Sequence, residues 1–137
     1  APGCHASSAD LQIARTLLES VGIVSETTEP QLDAVTGLSG SGPAYVYTLI
    51  ESLTIQAEKE GLPADEALKL ATQTVIGAAR MVEQTGMTPR ELINQVTSPG
   101  GTTLAGLASM TEHGFENSIA AGVHAATERS RAIAKES

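Results

Sequence analysis

Apolar positions at Leu11, Ala14, Leu17, Leu18 and Val21 recur at helical spacing, and Ser7-Ser8-Ala9-Asp10 ahead of them reads as a helix start. Gly22 suits the left-handed C′ position that closes such a helix. Ile23-Val24-Ser25-Glu26-Thr27 then reads as a short strand. A lone strand leaves its backbone donors and acceptors unpaired. No other stretch reads as a strand, so this one either pairs with a second copy or belongs to a sheet that has been cut away. The second reading is preferred.

From Pro30 onward the pattern is helical. Pro30 can occupy a first helical position, leading a short helix through Val35 that stops near Gly37. Gly37-Leu38-Ser39-Gly40-Ser41-Gly42-Pro43 follows as a glycine-rich loop. Val46, Leu49, Ile50, Leu53 and Ala57 then share one face of a long helix ending at Gly61. Pro63 opens the next helix, which runs to Gly86. Its residues 70–79 carry no charge on any side, the pattern of a helix buried nearly all round. Thr88-Pro89-Arg90-Glu91 is a capping box with proline in the first turn. That helix must end before Pro99. A further helix spans about 102–112, and the last runs from Phe115 to about Lys135.

Composition adds a partner to this picture. Of 137 residues only 18% are charged, and 8 Lys+Arg against 16 Asp+Glu leave a net charge of −8. Twenty alanines and thirteen glycines supply much of the apolar and small-residue content. The uncharged stretches 70–79 and 117–127 suit close helix contact. A small domain struggles to bury two such helices on its own. An intertwined homodimer is the favoured expectation, with a compact alanine-rich monomer as the alternative. An acidic chain with Tyr45, Tyr47 and Phe115 as its whole aromatic content argues against nucleic acid, which needs cations and stacking rings. Residues 92–111 are uncharged, but Asn94, Gln95, Pro99, Gly100 and Gly101 argue against a membrane span. The single cysteine, Cys4, fits a reducing, cytoplasmic setting.

Two segments carry candidate chemistry. Thr97-Ser98-Pro99-Gly100-Gly101-Thr102-Thr103 leads into a helix, whose N-terminal N–H groups attract anions. It contains no Lys or Arg and no GK[ST] ending, so a small carboxylate fits better than a polyphosphate. An ordinary inter-helix turn is the competing reading. Gly40-Ser41-Gly42-Pro43-Ala44-Tyr45 is glycine-rich too, but lacks the GxGxxG spacing and a leading strand. It suits a close approach by another backbone or a cofactor edge, or simply a turn into a helix. His5, His113 and His124 show no metal-ligand spacing with Cys4 or one another, and no metal is expected.

Gly37-Leu38-Ser39-Gly40-Ser41-Gly42-Pro43-Ala44-Tyr45, followed by Ser98-Pro99-Gly100-Gly101-Thr102-Thr103, closely resembles the pyrroline-5-carboxylate reductases. Gly61-Leu62-Pro63, Gly77-Ala78-Ala79 and His113-Gly114-Phe115 add to the resemblance, which covers essentially the whole chain. It implies reduction of 1-pyrroline-5-carboxylate to L-proline with NADPH or NADH, the last step of proline biosynthesis. It implies a mainly α fold: a helical bundle over 30–137 that interlocks as a homodimer and binds substrate. Residues 1–29 would be a helix–strand remnant of a Rossmann domain, whose glycine fingerprint is missing. By the same resemblance the substrate carboxylate sits on the amides of Gly101, Thr102 and Thr103 with Ser98 nearby, and Thr103 is catalytic, its hydroxyl on the imine nitrogen. Gly40, Ser41, Gly42 and Pro43 lie by the nicotinamide, and this piece alone binds no cofactor. A purely structural dimerisation module, or the helical domain of another NAD(P)-dependent oxidoreductase, are the alternatives.

Overall fold

The computed structural model describes residues 1–136, which are largely helical and contain no strand. They divide into two compact units. One comprises Ala1–Ser41 with the chain from Val123 on, and the other comprises Gly42–Gly122.

In the first unit, α1 spans Ser8–Glu19 and starts with a capping box. The Asp10 carboxylate accepts from the Ser7 N–H (2.9 Å) and hydroxyl (2.6 Å), which holds its pKa below the ordinary range. The helix closes earlier than expected. Ser20 donates both its N–H (3.3 Å) and its hydroxyl (2.6 Å) to the Leu17 carbonyl, so the last turn is satisfied without a left-handed residue. Gly22 accordingly has no positive φ. The expected strand at 23–27 does not form, and Ile23 is 97% exposed. A strand needs a partner ladder, and the described residues offer none.

After a 3₁₀ turn at Glu29–Gln31, α2 spans Leu32–Val35. The chain does not stop near Gly37. It winds on through a π-turn, Thr36–Gly40, closed by the Ser41 N–H on the Thr36 carbonyl at 2.9 Å. The residues read as an open loop are therefore wound. Gly37 permits this by lying against α7, which spans Phe115–Glu136. A Cβ at Gly37 would collide with the Thr127 hydroxyl and sit 2.9 Å from the Val123 carbonyl oxygen.

In the second unit, α3 spans Gly42–Lys59, α4 Ala64–Thr85, α5 Pro89–Val96 and α6 Thr102–Glu112. α3 packs along α4, and α4 against α5. Ala67 and Ala71 are the buried contacts of α4 (1% and 7% exposed), where small side chains let helices come close. Gly86 ends α4, as expected, and does so at φ 66°, the left-handed geometry that glycine takes readily. Tyr45 donates its hydroxyl to the Gly122 carbonyl at 3.3 Å.

The uncharged stretch of α4 is not buried all round within one chain. Leu70 and Ile76 in that stretch are 47% and 39% exposed, and α4 packs chiefly on α3 and α5 among the described residues. No residue of α6 is buried. The chain exposes 10412 Å², against about 6,700 Å² for a typical folded monomer of this mass. No helix among the described residues is long and apolar enough to cross a membrane.

Candidate functional site

The α5–α6 connection is built by local sequence. Thr88 and Glu91 cap α5 reciprocally, and Pro89 sits in its first turn. The helix ends at Val96, where the Thr97 hydroxyl donates to the Ile93 carbonyl at 3.0 Å. Ser98-Pro99-Gly100-Gly101 then reverses the chain. The Gly101 N–H donates to the Ser98 carbonyl (2.9 Å), and Gly100 has φ +73°. Proline second and a positive-φ glycine third is the type II pattern. Gly101 is needed for space instead. A Cβ there would lie 2.5 Å from the Ser98 hydroxyl and 3.1 Å from the Ser98 carbonyl oxygen.

Gly101 is also the N-cap of α6, and no side chain caps that end. The first helical bond runs from the Ala105 N–H to the Gly101 carbonyl at 3.2 Å. The N–H groups of Thr102, Thr103 and Leu104 therefore precede the helical ladder, and none has a partner among the described residues. Three aligned donors at the positive end of a helix form a cradle for a small anion. The turn is exposed, as are Ser98, Thr102 and Thr103. One sequence expectation changes in detail. Gly101 does not offer its amide, since the turn engages it, and Leu104 supplies the third donor. Reading Pro99–Gly100 as a type II turn would have pointed to this, because such a turn often engages the N–H of its fourth residue.

Beside the turn, α5 and α6 border an open groove of about 590 Å³ that includes Arg90, Asn94, Thr97 and Leu104. Arg90 and Asn94 are four residues apart, hence on one face of α5. Both lie outside the loop that the sequence singles out. Arg90 also acts on Glu116. The Glu116 backbone N–H, the Thr111 hydroxyl (2.9 Å) and the Arg90 charge, in that order, hold the Glu116 carboxyl below its ordinary range.

The other candidate segment is arranged differently. Gly40 lies in the π-turn, the Ser41 N–H closes it, and Gly42 and Pro43 begin α3. A Cβ at Gly42 would meet nothing within 4 Å, so that face is open. No strand–glycine turn–helix unit of the kind that cradles dinucleotide phosphates exists among the described residues. No hydrogen bond joins Gly42 or Pro43 to the Ser98–Thr103 turn among the described residues. Nor does any group of His, Cys, Asp and Glu among them have the make-up of a metal site.

By class, this is a helical domain with apolar helix faces left bare and an uncapped helix start on a tight turn. Residues 29–133 match the family model for pyrroline-5-carboxylate reductase dimerisation. The chain is 45% identical over 135 residues to the pyrroline-5-carboxylate reductase of Methanosarcina acetivorans, and 47% over 131 residues to that of Glycine max. These alignments cover 98% and 96% of this chain, but 50% and 48% of the relatives. Among solved structures, Plasmodium falciparum pyrroline carboxylate reductase with NADP bound aligns with a TM-score of 0.89 at 35% identity. The 1-pyrroline-5-carboxylate reductase of Streptococcus pyogenes aligns with a TM-score of 0.90 at 31% identity. Each structural alignment covers 95% of this chain and 50% of the other. The chain belongs to the pyrroline-5-carboxylate reductase family, and it spans about half the length of the relatives it matches.

Proposed function

We propose that the full-length protein reduces the cyclic imine of 1-pyrroline-5-carboxylate to L-proline, with hydride from NADPH or NADH, as the last step of proline biosynthesis. The observation that carries this is the uncapped N-terminus of α6 on its Pro-Gly-Gly turn, in a chain of this family. The substrate carboxylate sits on the amides of Thr102, Thr103 and Leu104, with the Ser98 hydroxyl alongside. Gly101 keeps the turn tight beneath it. The Thr103 hydroxyl bonds the imine nitrogen, which orients the C=N and helps hold the proton on nitrogen. A protonated imine has the more electrophilic carbon, so this chain's part is orientation and proton handling.

Gly40, Ser41, Gly42 and Pro43 lie beside the nicotinamide end of the cofactor in this reading, supported by the open face at Gly42. The NADP in the Plasmodium falciparum structure supports a nicotinamide cofactor. The piece alone is inactive and binds none, because it lacks a phosphate-binding turn. Residues 1–29 are the end of the dinucleotide-binding domain, which accounts for the unpaired 23–27 segment. The working form is a homodimer, supported by the bare faces of α4 and α6 and by the dimerisation family. A cytoplasmic setting is supported by the free, exposed Cys4.

The test is NAD(P)H oxidation by the full-length protein with 1-pyrroline-5-carboxylate, with proline identified as product. Turnover with neither cofactor would leave the second reading, a structural dimerisation module. That reading rests on the bare apolar faces alone and expects dimerisation of the full-length protein without reductase activity.

A further inference from the structure

The π-turn is the least expected element of the fold. A π-turn has poorer bonding than an α-turn and persists where its surroundings fix it. Here two contacts do so. Gly37 is buried against Thr127, itself only 7% exposed. The Thr127 hydroxyl donates to the Val123 carbonyl at 2.9 Å, so it is not free to swing aside. A Cβ at Gly37 would also stand 3.0 Å from the Thr127 nitrogen, and backbone cannot yield as a side chain can. One turn earlier, Asp33 accepts the Ser130 hydroxyl at 2.7 Å, across 97 positions of sequence. Asp33 and Gly37 are four apart, and Thr127 and Ser130 three apart, so each pair lies on one helix face. A single contact would leave a pivot. Two contacts a turn apart fix both the rotation and the register of the segment that ends in Gly40 and Ser41.

We propose that Gly37, Asp33, Thr127 and Ser130 are positioning residues: they pin the π-turn to α7 and so set where Gly40 and Ser41 stand against the nicotinamide. This rests on the reading above that Gly40–Pro43 lie beside the cofactor. Misplacing such a segment weakens one ligand selectively, because the carboxylate cradle on α6 is built by a different turn.

The test uses the full-length reductase and reads KM separately for the nicotinamide cofactor and for 1-pyrroline-5-carboxylate. Gly37→Ala and Asp33→Ala should each raise the cofactor KM about tenfold while the imine KM stays within about twofold. Asp33→Asn keeps an acceptor for Ser130 and should restore the cofactor KM. The Asp33 pair decides the matter if Gly37→Ala fails to fold. Gly42→Ala is the control on the underlying reading, since its methyl meets nothing in this chain but would meet a cofactor edge. If Gly42→Ala raises the cofactor KM and the Gly37 and Asp33 variants do not, the positioning inference is wrong and the cofactor reading stands. If Gly42→Ala also leaves it unmoved, the cofactor reading fails and the inference falls with it. Equal rises in both KM values, or no recovery in Asp33→Asn, would mean a merely structural role.

Discussion

Thr36–Gly42 and Ser98–Thr102 each carry glycine-rich chain into a helix. In the first, the chain keeps winding: the Ser41 N–H closes a π bond, and neither Gly40 nor Gly42 has a positive φ. In the second it turns sharply at Gly100, and the following helix starts with three unpartnered amides. Glycine serves closeness in one and conformation in the other. Gly37 lets two pieces of backbone approach, whereas Gly100 takes a φ that other residues resist. Composition makes the two segments look alike, but they differ in backbone: the first winds on into its helix, and the second turns and leaves the first amides of α6 unpartnered.

The largest effect should come from removing the hydroxyl that we propose meets the imine. In the full-length enzyme, Thr103→Ala should lower kcat/KM by about 10²-fold, the scale of a lost proton-transfer group. Steady-state assays with varied imine check it, and unchanged kinetics would remove Thr103 from the chemistry. Thr102→Ala should matter far less, because its amide remains.

A single substitution applied to both segments tests the contrast in backbone. Gly100→Ala forces a side chain into positive φ and should destabilise by about 1 kcal/mol or more. Gly42→Ala, at negative φ with open space around it, should raise stability by a few tenths of a kcal/mol, since alanine favours helix. Denaturant midpoints of the two full-length variants read this directly. Equal shifts would erase the distinction between the segments.

The same contrast explains what the sequence disclosed. Ser7, Pro63, Thr88, Phe115 and Gly86 mark helix ends by local chemistry, and helices start or stop at or next to each of them. The Pro-Gly-Gly turn was legible for the same reason. Three features needed information from elsewhere in the chain or beyond it. Ile23–Thr27 has strand-forming residues, but a strand exists only with a partner. The π-turn depends on Thr127 and Ser130, some ninety positions away. The bareness of Leu70 and Ile76 is legible only once α4's neighbours are known, and among the described residues these are chiefly α3 and α5. Within the site, the amide of Leu104 was not legible as a donor because Gly101 stands first in the run, and only the turn geometry shows that its own amide is engaged.

The smallest effect concerns the start of α5, which completes the comparison. There the Glu91 carboxylate accepts from the Thr88 hydroxyl (2.7 Å) and N–H (2.8 Å), whereas α6 has no side chain in that role. These bonds, the hydroxyl's first, hold the Glu91 pKa below its ordinary 4.5. A carboxylate with a lowered folded pKa contributes stability that is present above its unfolded pKa and lost as pH falls through the folded value. The Tm gap between the full-length protein and its Glu91→Gln variant should therefore hold from neutral pH down to about 4.5 and shrink below it. A gap that stays constant through pH 3 would mean that the cap draws nothing from the charge. The unfilled end of α6 offers no such titration of its own, so a matching pH response from Ser98→Ala would contradict the reading of that end as a site kept open for an external carboxylate.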